Sequence, residues 1–462
     1  MMLLSKAAQV LGGKLSGADI EFSAVSTDSR AISEGDLFIA LQGEKFDGSQ
    51  FVALAAEKGA VAALVNMDSY HGESVPCSIV LVKDTRVALG QLAGYWREQF
   101  NIPVVGITGS NGKTTVKEML TAVLRIAVGD EEDVLSTQGN FNNDIGMPLT
   151  LLKLRKQHRY AVIEMGMNHA GEIDYLTRIA QPDVALINNA GSAHIANLGS
   201  VKAIAETKGE IFSGLKESGV AVINADEVFA PLWRELAVRH KVIEFALDGG
   251  AAISAKWEAS EYGTHIEVKT PIGNFKADLQ VPGVHNVRNA LAATAAAIAL
   301  HISPEIIAAG LEKFGGVSGR LQRKQGISGA AIIDDSYNAN PASLLAAIKV
   351  LTQATGKKIL VLGDMGELGI EAARLHEEMG EKARELGVNK LFALGELSNF
   401  AVKTFGAGAL HFEHIEDLLE ALKPELTKNS TVLVKGSRFM KMERVVKFLV
   451  NGEMEAFASV HH

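Results

Sequence analysis

The stretch Pro103-Val104-Val105-Gly106-Ile107-Thr108-Gly109-Ser110-Asn111-Gly112-Lys113-Thr114-Thr115 decides the fold. Its first half is an apolar run of the kind that forms a buried strand. Its second half is a glycine-rich turn that ends in a lysine and two threonines and runs into a helical pattern. A strand, a glycine turn and a helix in that order make a phosphate cradle. Backbone N–H groups of the turn converge on the anion, and the helix directs its positive end at it. Lys113 can reach terminal phosphates, and the Thr114 hydroxyl can ligate Mg²⁺. The first glycine of the common G-x-x-x-x-G-K-[ST] pattern would fall at Ile107, so this is the shortened form Gly109-x-x-Gly112-Lys113-Thr114. The nucleotide-phosphate candidates are therefore Gly109, Ser110, Asn111, Gly112, Lys113, Thr114 and Thr115.

The chain around this stretch has 462 residues, enough for roughly two to four domains. Its 45 Lys and Arg against 54 Asp and Glu leave a formal charge of −9. That balance argues against non-specific binding to nucleic acid or to an anionic membrane, while permitting a local basic pocket. The single cysteine, Cys77, excludes an internal disulfide and a thiolate metal cluster, as suits a reducing cytosol. No basic-then-apolar leader and no uncharged apolar run of membrane-spanning length is present, so a cytoplasmic location is expected.

Residues 1–98 read as a small α/β unit. Short apolar runs (Asp36–Leu41, Ala60–Val65, Ser78–Val82) alternate there with helical segments (Ser49–Lys58, Thr85–Phe100). Residues 99–315 carry the phosphate-loop strand and further buried-type strands at Tyr160–Glu164, Val184–Asn188 and Ala221–Asn224. Helical patterns between them predict a parallel mononucleotide-binding sheet. Ala251–Val281 interrupts the rhythm with alternating patches and predicts an antiparallel extension. The Gly315-Gly316-Val317-Ser318-Gly319 stretch is the linker candidate. Residues 316–462 then alternate again (Ala330–Asp334, Lys358–Leu362, Lys390–Leu394, Thr431–Val434) and read as a Rossmann-like third domain. The fold class expected is three-domain α/β.

In open α/β sheets ligands sit beyond the carboxyl ends of the strands, so the residues just past each strand carry the chemistry. Glu164 follows one strand and can hold Mg²⁺, although a solvated glutamate would also suit that place. A glycine turn after Val184–Ile187 delivers His194 to the same rim, where an imidazole could support a second metal. Lys208, in Ala205-Glu206-Thr207-Lys208-Gly209-Glu210, would ordinarily be a solvated charge. Asn286 and Asn289, entering an Ala-rich helix, can cap it or read the edge of a base. Past the linker, Arg320 suits a phosphate on which charge builds, and Asp335 suits a ribose hydroxyl.

Taken together, these segments resemble the Mur ligases, over essentially the whole chain. The likeness rests on Thr108–Thr115, Glu164-Met165-Gly166, the loop reaching His194, Lys208-Gly209-Glu210, His285–Asn289 and Asp335–Pro341. Within the family it is closest to the ligases that add D-alanyl-D-alanine to UDP-N-acetylmuramoyl-tripeptide. Ser26–Arg30, Gly35–Leu41, Phe46-Asp47-Gly48, Asn142–Gly146 and Asp335–Pro341 carry that narrower likeness. The resemblance implies an ATP-dependent amide-bond-forming ligase, ADP-forming, that works through an acyl phosphate. ATP and Mg²⁺ are expected, with UDP-N-acetylmuramoyl-tripeptide and D-alanyl-D-alanine as partners and a monomer as the form.

The resemblance further implies that Lys113 and Arg320 address the phosphates, and that Thr114 and Glu164 hold one Mg²⁺. His194 and a carbamylated Lys208 would support a second. Asn286 and Asn289 would meet adenine, and Asp335 the ribose. Ser26, Asp28, Arg30 and Asp47 would hold the uridine diphosphate, Asn140, Asn142 and Asn143 the sugar–peptide path, and Arg438 the carboxylate of the dipeptide. Two alternatives stay open: another amino-acid ligase of this type, and a P-loop NTPase that couples hydrolysis to movement.

Overall fold

The computed structural model describes residues 1–43, 47–70, 75–191, 195–260 and 263–452. Its centre is a six-stranded sheet, parallel throughout. The strands run in the order Lys241–Phe245, Val220–Asn224, Val184–Ile187, Val104–Thr108, Tyr160–Glu164, Val134–Ser136. The phosphate-loop strand lies inside this sheet, between the strands that end in Glu164 and Ile187. Glu164 is level with Ile107 on one side, and Ile187 with Thr108 on the other. Three strand ends therefore open onto the same edge, and the residues that follow them converge without any long loop.

The helix Lys113–Val128 leaves this edge and buries Val116, Met119, Leu120, Val123 and Leu124. It packs against two helices, Val284–Ala299 and Pro304–Lys313. Six of the eleven buried residues of the first are alanine. The second makes its approach at Gly310, where an added Cβ would stand 2.3 Å from Val123 Cα. The interruption at Ala251–Val281 forms the expected antiparallel sheet, Ser254–Ala259, Thr264–Lys269 and Phe275–Leu279.

The N-terminal unit holds a five-stranded sheet in the order Lys14–Ser16, Ser78–Val82, Ala62–Asn66, Asp36–Ile39, Ala24–Ser26. A separate two-stranded ladder joins Met2–Leu3 to Glu21–Phe22. The helix expected over Ser49–Lys58 is broken into a 3₁₀ turn, Gly48–Phe51, and a short helix, Val52–Glu57. The C-terminal sheet runs Gln322–Gln325, Ala331–Asp335, Ser430–Lys435, Lys357–Gly363, Lys390–Leu394, Ala409–Phe412. Only its first strand is antiparallel.

Contacts of known chemistry join the three units. The buried Arg97 guanidinium donates to the carbonyls of Phe100 (2.6 Å) and Ala180 (3.0 Å), which ties the helix Thr85–Glu98 to the central unit. Arg86 makes a two-pronged ion pair with Asp144, in which Nη2 donates to Oδ1 at 2.9 Å. From the other side, Asn340 Nδ2 donates to Asn111 Oδ1 at 2.8 Å, and Arg320 Nη2 to Thr114 Oγ1 at 3.0 Å. The C-terminal unit is thus seated directly on the phosphate loop.

Replacing Gly310 by alanine should force the helix Pro304–Lys313 off Val123. Urea unfolding is expected to show a loss of about 1–3 kcal/mol, the usual cost of overpacking. An unchanged midpoint would show that this helix contact is looser than the structure has it.

Candidate active site

A cavity of about 1310 Å³ lies where the three units meet. The helix Thr85–Glu98 contributes Arg86 to its wall, and the central unit Ser110–Thr115, Glu164 and Asn289. Arg320, Asp335, Tyr337 and Arg438 come from the C-terminal unit.

The loop that forms its floor is held by asparagines from the neighbouring strand end. Asn111 N donates to Asn189 Oδ1 at 2.8 Å, and Asn188 Nδ2 donates to Asn111 O at 3.0 Å. Ser110 N donates to Asn189 O at 3.0 Å, and Gly191 N to Ser110 Oγ at 2.8 Å. Gly112 adopts φ +79°, a left-handed conformation, and a Cβ there would stand 2.4 Å from Asn289 Oδ1. Both facts demand glycine. These bonds fix the loop before any anion arrives, so its remaining N–H groups are preorganised.

At the head of the helix, Thr114 Oγ1 donates to Glu164 Oε2 at 2.8 Å, while Asn142 Nδ2 donates to Glu164 Oε1 at 2.8 Å. A hydroxyl and a carboxylate side by side are a hard oxygen donor set, which fits Mg²⁺. Lys113 Nζ donates to Gly109 O at 2.7 Å. Burial pushes the Lys113 ammonium below the usual lysine range, opposed by the Glu164 and Glu367 carboxylates and reinforced by Arg320. Lys208 is also buried, 1% exposed. Burial first, and the Lys113 charge second, hold it well below the usual lysine range. It makes no ion pair among the described residues and is not part of the cavity wall. His194 lies outside the described residues, and among those described no cluster of His, Cys, Asp and Glu could by itself hold a metal.

The remaining expected residues divide into two groups. Asn140, Asn142 and Asn143 line the cavity. Asn286 and Asn289 are buried in its wall; Asn289 Nδ2 donates to Asn286 Oδ1 at 3.2 Å, and Asn188 Nδ2 to Asn289 Oδ1 at 3.0 Å. Asp335 accepts from Leu321 N at 3.1 Å and from Lys435 Nζ at 2.5 Å. Burial raises its pKa, and Lys435 works the other way. Arg320 stacks over Tyr337, with Cζ 4.5 Å from the ring centroid, and Arg438 lies 5.6 Å from the same ring. Ser26, Asp28, Arg30 and Asp47, in contrast, line no part of this cavity. Asp28 pairs with Arg30 at the surface, where the guanidinium and its backbone N–H hold the carboxyl down to about 2. Asp47 caps a 3₁₀ turn by accepting from Ser49 N at 2.9 Å.

Sequence reasoning passed over Asn188, Asn189 and Lys435 as partners. All three follow or end strands of the two large sheets, which is the signal that could have found them.

Three Mur ligase family models match the chain: "Mur ligase family, catalytic domain" over residues 21–97, "Mur ligase middle domain" over 107–297, and "Mur ligase, glutamate ligase domain" over 319–438. The UDP-N-acetylmuramoyl-tripeptide–D-alanyl-D-alanine ligase of Escherichia coli is 40% identical over 450 residues, covering 96% of this chain and 98% of that one. Among solved structures, MurF from Acinetobacter baumannii is 37% identical with a TM-score of 0.88, covering 96% of this chain and 98% of its own. MurF ligase from Thermotoga maritima, in complex with ADP, is 30% identical with a TM-score of 0.82, covering 94% and 98%.

His285, on the cavity wall, is pushed down to about 4 by burial first and then by Lys435 and Arg288. A depressed imidazole favours the folded state above its unfolded pKa, and that stability drains away as pH falls from about 6.5 towards 4. From pH 7.5 to pH 5 the wild type should lose up to about 2 kcal/mol that His285→Asn does not lose. Paired urea titrations at the two pH values measure it; parallel losses would contradict the assignment.

Proposed function

The chain belongs to the Mur ligase family, and we propose that it is the ATP-dependent ligase joining D-alanyl-D-alanine to UDP-N-acetylmuramoyl-tripeptide in the synthesis of peptidoglycan precursors. The observation that carries this reading is the cavity shared by three units, with a preorganised phosphate loop on its floor and Arg320 reaching that loop from the C-terminal unit. Amide formation from a carboxylate and an amine is uphill in water, so the carboxylate must first gain a leaving group. The tripeptide's terminal carboxylate attacks the γ-phosphorus of ATP and ADP departs. The dipeptide amine then attacks the acyl carbon, the tetrahedral intermediate collapses, phosphate leaves, and the nitrogen gives up its proton.

The first step brings two anions together and therefore needs dense positive charge. Lys113 and the N–H groups from Gly109 to Thr115 hold the β- and γ-phosphates, and Arg320 neutralises charge on the transferred group. Thr114 and Glu164 would hold Mg²⁺, which supplies further neutralisation between phosphate and carboxylate. Asn286 and Asn289 face adenine and Asp335 the ribose. Asn140, Asn142 and Asn143 guide the sugar–peptide arm. Ser26, Asp28, Arg30 and Asp47 hold the uridine diphosphate outside the cavity, on residues 1–98. Residues 99–315 bind ATP, and residues 316–462 bring the dipeptide, with Arg438 for its carboxylate.

Lys208 takes up CO₂ as a carbamate. Its lowered pKa supplies the neutral amine that attacks CO₂, losing a proton to give an anion. A buried anion beside Lys113 replaces a repulsion with an attraction, and with His194 it would support a second metal. A cytoplasmic location fits the use of ATP and a nucleotide-linked sugar; among the described residues no helix is long and apolar enough to cross a membrane. A cavity assembled from one chain supports a monomer.

Phosphate release from ATP tests the reading. Release that requires both UDP-muramoyl-tripeptide and D-alanyl-D-alanine, with a product heavier by the dipeptide, is expected. Release that needs another amino acid would assign a sister activity, and release that needs neither would leave an NTPase. Lys208→Ala should be nearly inactive, with partial rescue by a small carboxylic acid in the buffer; full activity without rescue would rule out the carbamate.

A further inference from the structure

The helix Lys113–Val128 carries a second buried lysine. Lys117 follows Lys113 by one turn and is 1% exposed, and it is not among the residues that line the cavity. Val116, Met119, Leu120, Val123 and Leu124, buried on the same helix, are apolar. A methionine would fill the place of Lys117 without the cost of burying an ammonium. Packing therefore does not account for a charge there.

The ammonium is directed at one backbone carbonyl. Lys117 Nζ donates to Thr137 O at 2.5 Å and pairs with the partly exposed Glu118 at 2.6 Å. Thr137 is fully buried and stands just past the edge strand Val134–Ser136. That strand has three residues, and its ladder with Tyr160–Glu164 ends at the pair Ser136–Val162, two residues short of Glu164.

Beyond the ladder the contact continues through Thr137. Its N–H donates to Val162 O at 3.0 Å, and its hydroxyl accepts from Glu164 N at 3.0 Å. On the other flank, Met165 N donates to Ile107 O at 2.8 Å. The chain then runs from Thr137 into the loop that reaches Glu164 a second time. Asn142 Nδ2 donates to Glu164 Oε1 at 2.8 Å, and Asn142 O accepts from Gly166 N at 2.8 Å. A three-residue edge strand holds such a loop weakly, and a charge-assisted bond at its root holds it firmly.

We propose that Lys117 is a positioning residue for the metal carboxylate: through Thr137 it sets where Glu164 stands against Thr114. This rests on the reading above that Thr114 and Glu164 hold Mg²⁺, and it adds the group that fixes their geometry from behind. Mg²⁺ demands near-ideal octahedral geometry, so a carboxylate that drifts loses much of its hold. Groups behind a metal ligand matter for that reason. Lys113 faces the phosphates, and Lys117, one turn on, faces the frame of the metal site.

Mn²⁺ takes the same oxygen ligands and reports its own binding by electron paramagnetic resonance, so the site is read without turnover. In the full chain with ADP, Lys117→Met should weaken Mn²⁺ binding by about tenfold or more, the usual loss when a group behind a metal ligand is removed. ADP binding in EDTA should not change. Thr137→Val, which removes the hydroxyl that Glu164 N meets, should weaken Mn²⁺ binding likewise. The double variant should lose no more than Thr137→Val alone, because fixing residue 137 without its hydroxyl no longer sets Glu164. Gly310→Ala, which crowds the same helix at Val123, should bind Mn²⁺ as the wild type does. Should Lys117→Met not fold, Lys117→Gln takes its place in the same cycle. Losses that add in the double variant, or an equal loss in Gly310→Ala, mean that Lys117 serves the stability of the helix alone and overturn the proposal. Wild-type Mn²⁺ affinity in either single variant overturns it as well. A wild type that binds Mn²⁺ no better than ADP does by itself overturns the metal reading of Thr114 and Glu164 together with the proposal.

Discussion

Two lysines whose charges would oppose each other, Lys113 at the phosphate loop and the buried Lys208, are the constraint around which this site is built. Lys113 closes the phosphate loop, and Lys208 lies buried close enough to feel its charge. Among the described residues Lys208 has no carboxylate partner. A protein interior tolerates an unpaired charge poorly, and burial together with the Lys113 charge lowers the pKa of Lys208. Everything nearby follows from keeping one cation at the loop: Glu164 is set against Thr114, and Arg320 is brought in from another unit.

The second requirement is a loop that does not have to be ordered by its ligand. Asn188, Asn189 and Asn289 meet it with side-chain amides rather than charges. An amide can hold a backbone carbonyl and a backbone N–H without altering the local potential. Charged residues in those places would compete with the phosphates for the same N–H groups. Gly112, with no room for a Cβ, lets Asn289 approach the loop from the helix side.

Much of this was legible in the sequence. The buried-type strands that recur after Pro103–Thr115, with helical patterns between them, predicted the parallel central sheet, because strands so separated pair through crossover helices. The strands at Tyr160–Glu164, Ser78–Val82 and Lys390–Leu394 form as read. The strands the sequence did not announce are mostly at edges. Gln322–Gln325 has a wholly polar sequence, and Lys241–Phe245 is only partly buried, so neither carries the apolar signature of a central strand. The broken helix after Asp47 reflects a local cap that pattern counting does not weigh. At the site, residues that follow strands were readable from topology. The pairing of Lys435 with Asp335 was not, since it depends on strands a hundred positions apart lying side by side.

The bonds that seat the C-terminal unit on the loop engage the loop's own polar groups. Thr114 Oγ1 receives Arg320, and Asn111 receives Asn340. A compound shaped to the cavity therefore meets a wall contributed by three parts of the chain. Such a compound would act less as a rival to one substrate than as an adhesive that fixes an angle between parts. Its affinity would report the stiffness of that angle, and its residence time would be set by how often the parts separate. Rigid, three-armed inhibitors would then leave slowly even where each arm binds weakly.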